Sequence, residues 1–269
     1  MPRPAKVLVA LGLLLIGTGA GQFLADWPRG GDGQPRDAVT THGEWVRYAN
    51  AEGDTVQAYV AYPERQGTAP AIIVIHEIFG LTEWEPTVAD RFAANGYVAI
   101  APDLLSAKHG STAAVGETAR QAVSGLGADE VRRDLDATFA YVSALPASEA
   151  GSVGIIGFCW GGATVWTYAA HNPDVDAAVV CYGPVADTAM LRTVRAPVLG
   201  VYGENDGRVN NQLPLVAGMM AAMGKPFTAD SYPGTGHGFL KPGRRGHDTP
   251  STAQAWSDID AFFARHLEP

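Results

Sequence analysis

The sequence predicts an α/β protein: a mainly parallel central sheet with helices on both faces, preceded by an antiparallel N-terminal hairpin. Three observations carry that expectation. Runs of four or five consecutive apolar residues, the mark of strands buried on both faces, alternate with longer stretches of helical periodicity. Glycine is abundant, 32 in 269 residues, as tight strand-to-helix turns require. Hydrophobic residues make up 46% of the chain and charged residues 17%. That supplies one sizeable core and excludes wholesale disorder.

The elements follow in order. Arg3 and Lys6 precede a ten-residue apolar run, Val7–Ile16, and the small residues Gly17–Gly21. The run is short for a membrane span and fits the h-region of an export signal. Residues 1–20 are therefore expected to be a signal peptide and the protein periplasmic or secreted; left uncut, the segment would be a membrane anchor. Residues 21–42 lack apolar periodicity, carry Pro28, Gly30, Gly31, Gly33 and Pro35, and read as a linker. The folded domain is expected over residues 43–269.

Glu44–Ala49 and Thr55–Tyr62 alternate as strands do and pair across Ala51–Asp54. Ala71–Ile75 reads as a central strand, Glu85–Asn95 as a helix stopped by Gly96, and Tyr97–Ile100 as a second buried strand closed by Pro102. Ala113–Val123 and Asp129–Leu145 have helical patterns. Val153–Ile156, Ala177–Cys181, Val198–Tyr202 and Phe227–Tyr232 read as strands. Ala163–His171, Leu213–Met223 and Ser251–Leu267 read as helices. Strand and helix in this alternation give parallel β-α-β units.

The charge balance, 19 Lys+Arg against 28 Asp+Glu for a net −9, is wrong for a protein that neutralises phosphates, so nucleic acid is not an expected partner. Two cysteines build neither a disulfide framework nor a multi-thiolate zinc site. His76-Glu77 opens an H-E-x-x-H pattern that Phe79-Gly80 breaks, and no glycine-rich phosphate loop follows a strand. No metal and no cofactor is expected.

The chemistry-bearing segment is Gly157-Phe158-Cys159-Trp160-Gly161-Gly162, a G-x-C-x-G sequence between a strand and a helix. It is the nucleophile-elbow pattern with Cys in place of Ser. The glycines allow a turn too tight for a Cβ, and the helix N-terminus favours a thiolate. Asp206 falls in the loop after Val198–Tyr202, and His237 in the loop after Phe227–Tyr232. Nucleophile, acid and histidine thus come in the α/β-hydrolase order. His237 would take the thiol proton and return it to the leaving group; Asp206 would orient the imidazole.

With these residues in view, the chain resembles the dienelactone hydrolase family of α/β-hydrolases. The matching pieces are His76-Glu77-Ile78-Phe79-Gly80, Ala101-Pro102-Asp103-Leu104, Gly157–Gly162, Gly203-Glu204-Asn205-Asp206 and Gly236-His237-Gly238-Phe239. The resemblance implies a Cys159–His237–Asp206 triad, Glu77 beside the nucleophile, and an oxyanion hole from the Ile78 and Trp160 N–H groups. A carboxylate beside a thiol opposes the thiolate, so a resting Glu77 turned inward would hold Cys159 as the thiol until substrate displaced it. A thiolate suits esters with good leaving groups, such as enol esters and enol lactones.

Hydrolysis of a small ester or lactone through an acyl-cysteine is therefore the expected activity. The alternatives are a broader carboxylesterase, an acyl-transfer enzyme, or a non-catalytic binding or redox-sensing protein on the same scaffold. Phe79, Trp84, Trp160, Tyr182 and Phe239 are candidate pocket walls. Lys108, Lys241, Arg244 and Arg245 are candidate anion contacts, although the family pattern has Arg where Lys241 stands here, and a lysine cannot fork onto a carboxylate. The remaining thiol, Cys181, reads as core. The expected partner is a small molecule only, and the chain is expected to be monomeric.

Overall fold

A computed structural model describes residues 41–267. The export segment expected over residues 1–20 and residues 21–40 of the linker expected over 21–42 lie outside the described residues; Thr41 and His42, expected in that linker, instead begin the first strand. The sheet begins with the expected antiparallel pair, β1 (Thr41–Ala49) and β2 (Thr55–Pro63), with Ala49 opposite Thr55. The other strands are β3 (Ala69–Ile75), β4 (Val98–Asp103), β5 (Ser148–Phe158), β6 (Ala177–Cys181), β7 (Val198–Gly203) and β8 (Phe227–Tyr232). Their order across the sheet is β1-β2-β4-β3-β5-β6-β7-β8. β2 runs antiparallel to β4, and every pairing from β4 to β8 is parallel.

Alternation along the strands divides the core. Ile73, Ile75, Val98, Ile100, Ile155 and Val180 face one side, under α5 (Ala128–Ser143), α6 (Trp160–His171) and α8 (Leu213–Ala222). Ile72, Val74, Ala99, Ile156, Phe158 and Val179 face the other, under α1 (Trp84–Ala94) and α9 (Pro250–Leu267). The inner parallel strands β3, β4, β6 and β7 are covered on both faces, which explains their unbroken apolar runs, whereas β8 at the edge is largely exposed.

Three segments depart from the expected pattern. Ala113–Val123 is not one helix. After α2 (Ser106–His109) the chain forms α3 (Thr112–Val115), a 3-10 turn over Gly116–Thr118, and α4 (Ala119–Ser124). Gly116 sits at φ +52° and Ser111 caps α3, so a single helix is interrupted at its glycine. Pro102 does not close β4 but lies inside it, opposite Ala58. Pairing to β3 ends at Ile100, so the missing proline N–H deprives no ladder on that side. β5 starts five residues before Val153, through a bulged register against Ala69 and Ala71.

Gly218 lies on the exposed face of α8, with no atom near the place a Cβ would take. Gly218→Ala is expected to stabilise the fold by about 0.5–1 kcal/mol through helix propensity, read as a raised urea midpoint at constant m-value.

Candidate active site

The sheet delivers the site. In a parallel α/β sheet the carboxyl ends of the strands open onto the ligand crevice. β3 ends into His76, Glu77 and Ile78; β5 into Cys159; β7 into Asp206; β8 into His237.

Cys159 adopts φ +57° and ψ −110°, a conformation few non-glycine residues take. Its N–H donates to Cys181 O at 3.0 Å, and its carbonyl accepts from Ala163 N–H at 3.1 Å. Close backbone approach makes the strain necessary. A Cβ on Gly157 would strike the Gly161 carbonyl, and one on Gly161 would stand 2.5 Å from the carbonyl oxygens of both Ile75 and His76. The thiol is thereby pushed out at the sheet edge, at the start of α6.

The Asp206 and His237 loops are sewn together: Asn205 N–H and Nδ2 both donate to Thr235 O, at 2.9 and 3.1 Å. Asp206 is almost fully buried and its Oδ2 accepts from His237 Nδ1 at 2.5 Å. Cys159 lies near enough to the imidazole to raise its titration, and Tyr182 meets the ring edge-on at 5.1 Å. Burial alone would lower the His237 titration, but the hydrogen bonds and charges of Cys159 and Asp206 outweigh it, and the net shift is upward. A histidine raised in the fold adds stability that is complete below its unfolded value, about 6.5, and lost as pH rises through the folded one. The difference in unfolding free energy between the wild type and His237→Gln is therefore expected to widen as pH falls from about 8.5 to about 6. A gap that narrows over that range contradicts the assignment.

His76 is a buried pin. Its Nδ1 donates to Glu77 O at 2.7 Å, its Nε2 accepts from Leu104 N–H, and its ring stacks on Trp160 at 5.4 Å. This fixes the backbone that carries Ile78. Among the described residues, neither the Ile78 nor the Trp160 N–H donates to a protein acceptor. Glu77 is buried, and its Oε2 accepts from Lys241 Nζ at 3.0 Å. The Tyr182 hydroxyl is buried without a hydrogen-bond partner among the described residues. Its ionisation is pushed well up by burial first, then by the charges of Glu77, Cys181, Cys159 and Glu85.

Not every expected contact lies where the sequence suggested. Phe239 is completely buried between Tyr182 and Tyr232, so it supports the wall from behind and offers no surface to a ligand. Lys108 pairs at 2.8 Å with Glu130 on the surface, a contact of small energetic weight. Phe79 is exposed, and Arg244 stands against Gly238, next to His237. Cys181 is a free, buried thiol. One residue escaped the sequence reading altogether: Glu85, fully buried at the start of α1 and 3.9 Å from Lys241. The signal was the spacing Thr82-x-x-Glu85, a capping-box pattern, which says nothing of the lysine it would meet.

A thiol beside an imidazole that is itself hydrogen-bonded to a carboxylate can exchange a proton and present a nucleophile. Comparison with known proteins identifies the family. The model of the dienelactone hydrolase family matches residues 56–267. A protein of Methylorubrum extorquens named "Putative carboxymethylenebutenolidase" is 33% identical over 225 residues, 78% of this chain and 77% of that protein. A protein of the same name from Yersinia pestis is 32% identical over 80% of this chain and 86% of its own length. The crystal structure of a "Putative Dienelactone Hydrolase" from Klebsiella pneumoniae superposes with a TM-score of 0.76 at 28% identity, covering 84% of this chain and all of the other.

Proposed function

The chain belongs to the dienelactone hydrolase family, and on that premise we propose that it hydrolyses small activated carboxylic esters, enol lactones above all, through an acyl-Cys159 intermediate and without a cofactor. The observation that carries this reading is the placement of Cys159, His237 and Asp206 at the carboxyl ends of β5, β8 and β7, with His237 Nδ1 hydrogen-bonded to Asp206. The thiol proton passes to His237, whose Nδ1 is committed to Asp206. The thiolate adds to the ester carbonyl. The oxyanion is received by the Trp160 and Ile78 N–H groups, one at a helix N-terminus and the other fixed by the His76 pin. Collapse expels the enolate, which takes the proton from His237, and water then cleaves the thioester with His237 as base.

Glu77 has a secondary part. Its carboxylate is held by Lys241, so the acceptor of the thiol proton is His237; Glu77 joins only when Lys241 is drawn away. The protein acts as a monomer on a small molecule, exported by residues 1–20. Intact mass spectrometry after brief mixing with p-nitrophenyl acetate and with an enol lactone tests the reading. An adduct of acyl mass on the Cys159 peptide supports it. Turnover without any adduct, and undiminished in Cys159→Ala, overturns it.

A further inference from the structure

We propose that Glu85 sets the charge preference of this site: by sharing Lys241 with Glu77 it leaves that corner anionic, so the substrates accepted there are neutral rather than carboxylate-bearing lactones. The proposal rests on the hydrolytic reading above and extends it to the substrate class.

A lysine can receive a substrate carboxylate only if its charge is free. That of Lys241 is not. Its side chain is only 17% exposed. Nζ donates to Glu77 Oε2 at 3.0 Å and Thr82 Oγ1 at 3.3 Å, lies 3.9 Å from Glu85 Oε1, and stands 5.1 Å over the Trp84 ring. An ammonium has three donors; two are engaged, and the remaining faces of the group are occupied by a carboxylate and an aromatic ring. Glu85 is itself entirely buried. Its Oε2 accepts from Thr82 N–H at 2.8 Å and Thr82 O–H at 2.6 Å, while its Oε1 has no hydrogen-bond partner among the described residues. Two carboxylates against one ammonium leave a net negative charge where water screens poorly. A substrate carboxylate would have to compete with both, from a point charge that cannot fork onto it.

Glu85 also holds the turn that leads into α1 through Thr82, but that uses Oε2 alone. A glutamine carbonyl can accept the same Thr82 bonds while removing the charge, so Glu85→Gln separates the two roles. The neighbouring cation that could oppose the effect is Arg244, exposed beside Gly238.

The test compares a neutral five-membered enol lactone bearing an exocyclic methylene with the same lactone carrying a carboxylate on that carbon. Each kcat/KM is divided by the lactone's hydroxide-catalysed rate. The wild type is expected to favour the neutral lactone, and Glu85→Gln to raise the anionic-to-neutral ratio by at least about tenfold; a unit charge roughly 6 Å away at an effective dielectric near 20 is worth on the order of a hundredfold. The ratio cancels any loss of folded protein. A wild type that favours the carboxylate overturns the proposal, and so does a ratio unmoved in Glu85→Gln. The wild-type preference needs no variant, so it decides even where the variant fails to fold.

Calorimetric binding of both lactones to Cys159→Ala protein, with and without Glu85→Gln, is the second arm. If neither lactone is hydrolysed but Glu85→Gln tightens only the anionic one, the hydrolytic reading falls and the charge assignment stands.

Discussion

Cys159→Ala is expected to lower kcat/KM on an activated ester by roughly 10³- to 10⁶-fold, the range seen when a covalent nucleophile is removed from an otherwise intact site. The substitution is conservative in structure. Alanine keeps the Cβ and so meets the same demand for φ +57°, and the helix-forming bonds at Cys159 N–H and O are backbone bonds that survive it. Cooperative unfolding within about 1–2 kcal/mol of the wild type is therefore expected, typical of a substitution that creates no large cavity. What is lost is the attacking atom. His237 and Asp206 stay paired at 2.5 Å, and the N–H groups of Trp160 and Ile78, proposed to receive the oxyanion, are untouched, so a slow residual reaction with water is expected. The acyl adduct expected on the wild type should be absent from the mutant and should be released from the wild type by neutral hydroxylamine, as a thioester is. A mutant that hydrolyses at the wild-type rate ends the acyl-cysteine mechanism.

The architecture was legible because parallel strands covered on both faces leave a simple record. Ala177–Cys181 and Phe227–Tyr232 were delimited to the residue. Apolar runs end where the chain leaves the core, and no side chain outside the run changes that. The elbow was legible for a related reason: Gly157 and Gly161 approach backbone carbonyls so closely that no other residue fits, and such a demand must be written in the local sequence. Chain order then gave Asp206 and His237, since each follows a strand of the same parallel sheet.

What escaped the sequence depended on contacts distant along it. Glu85 looked like an ordinary acid in the first turn of a helix, where the helix dipole welcomes one. Its burial against Lys241, contributed by the loop after β8, is a tertiary fact. Phe239, two residues after His237, reads from sequence as a pocket wall. The positive φ of Tyr182, at 42°, goes with an aromatic ring placed between Phe239 and His237, and the phenylalanine sits behind it. The broken helix between α2 and α4 turned on Gly116 taking a left-handed φ, which a helical pattern of side chains cannot announce.

The second large effect is expected from one methyl group. Gly161→Ala is predicted to destabilise the protein by about 2–4 kcal/mol and to lower kcat by about a hundredfold. The new Cβ would stand 2.5 Å from Ile75 O and His76 O and 3.0 Å from Ile75 C. All three are backbone atoms of the central strand, which pairs with β4 on one side and β5 on the other. No side chain can rotate to make room, so α6 and β3 must part by something near an ångström. The two proposed oxyanion donors ride on these elements, Trp160 on α6 and Ile78 on the turn after β3, and Cys159 stands at the joint. Separation therefore displaces donors and nucleophile together. The loss is expected in kcat more than in KM, because it disturbs the geometry of attack rather than the pocket walls. Urea unfolding and steady-state kinetics at a temperature where the variant is folded measure both. Full activity with stability within about 0.5 kcal/mol of the wild type, the range of an inconsequential substitution, would show that helix and strand do not meet as tightly as this geometry requires. Gly218→Ala is the internal contrast. It adds the same methyl to another helix with nothing in its way, and the opposite signs expected of the two substitutions tie the effect to the close approach rather than to glycine itself.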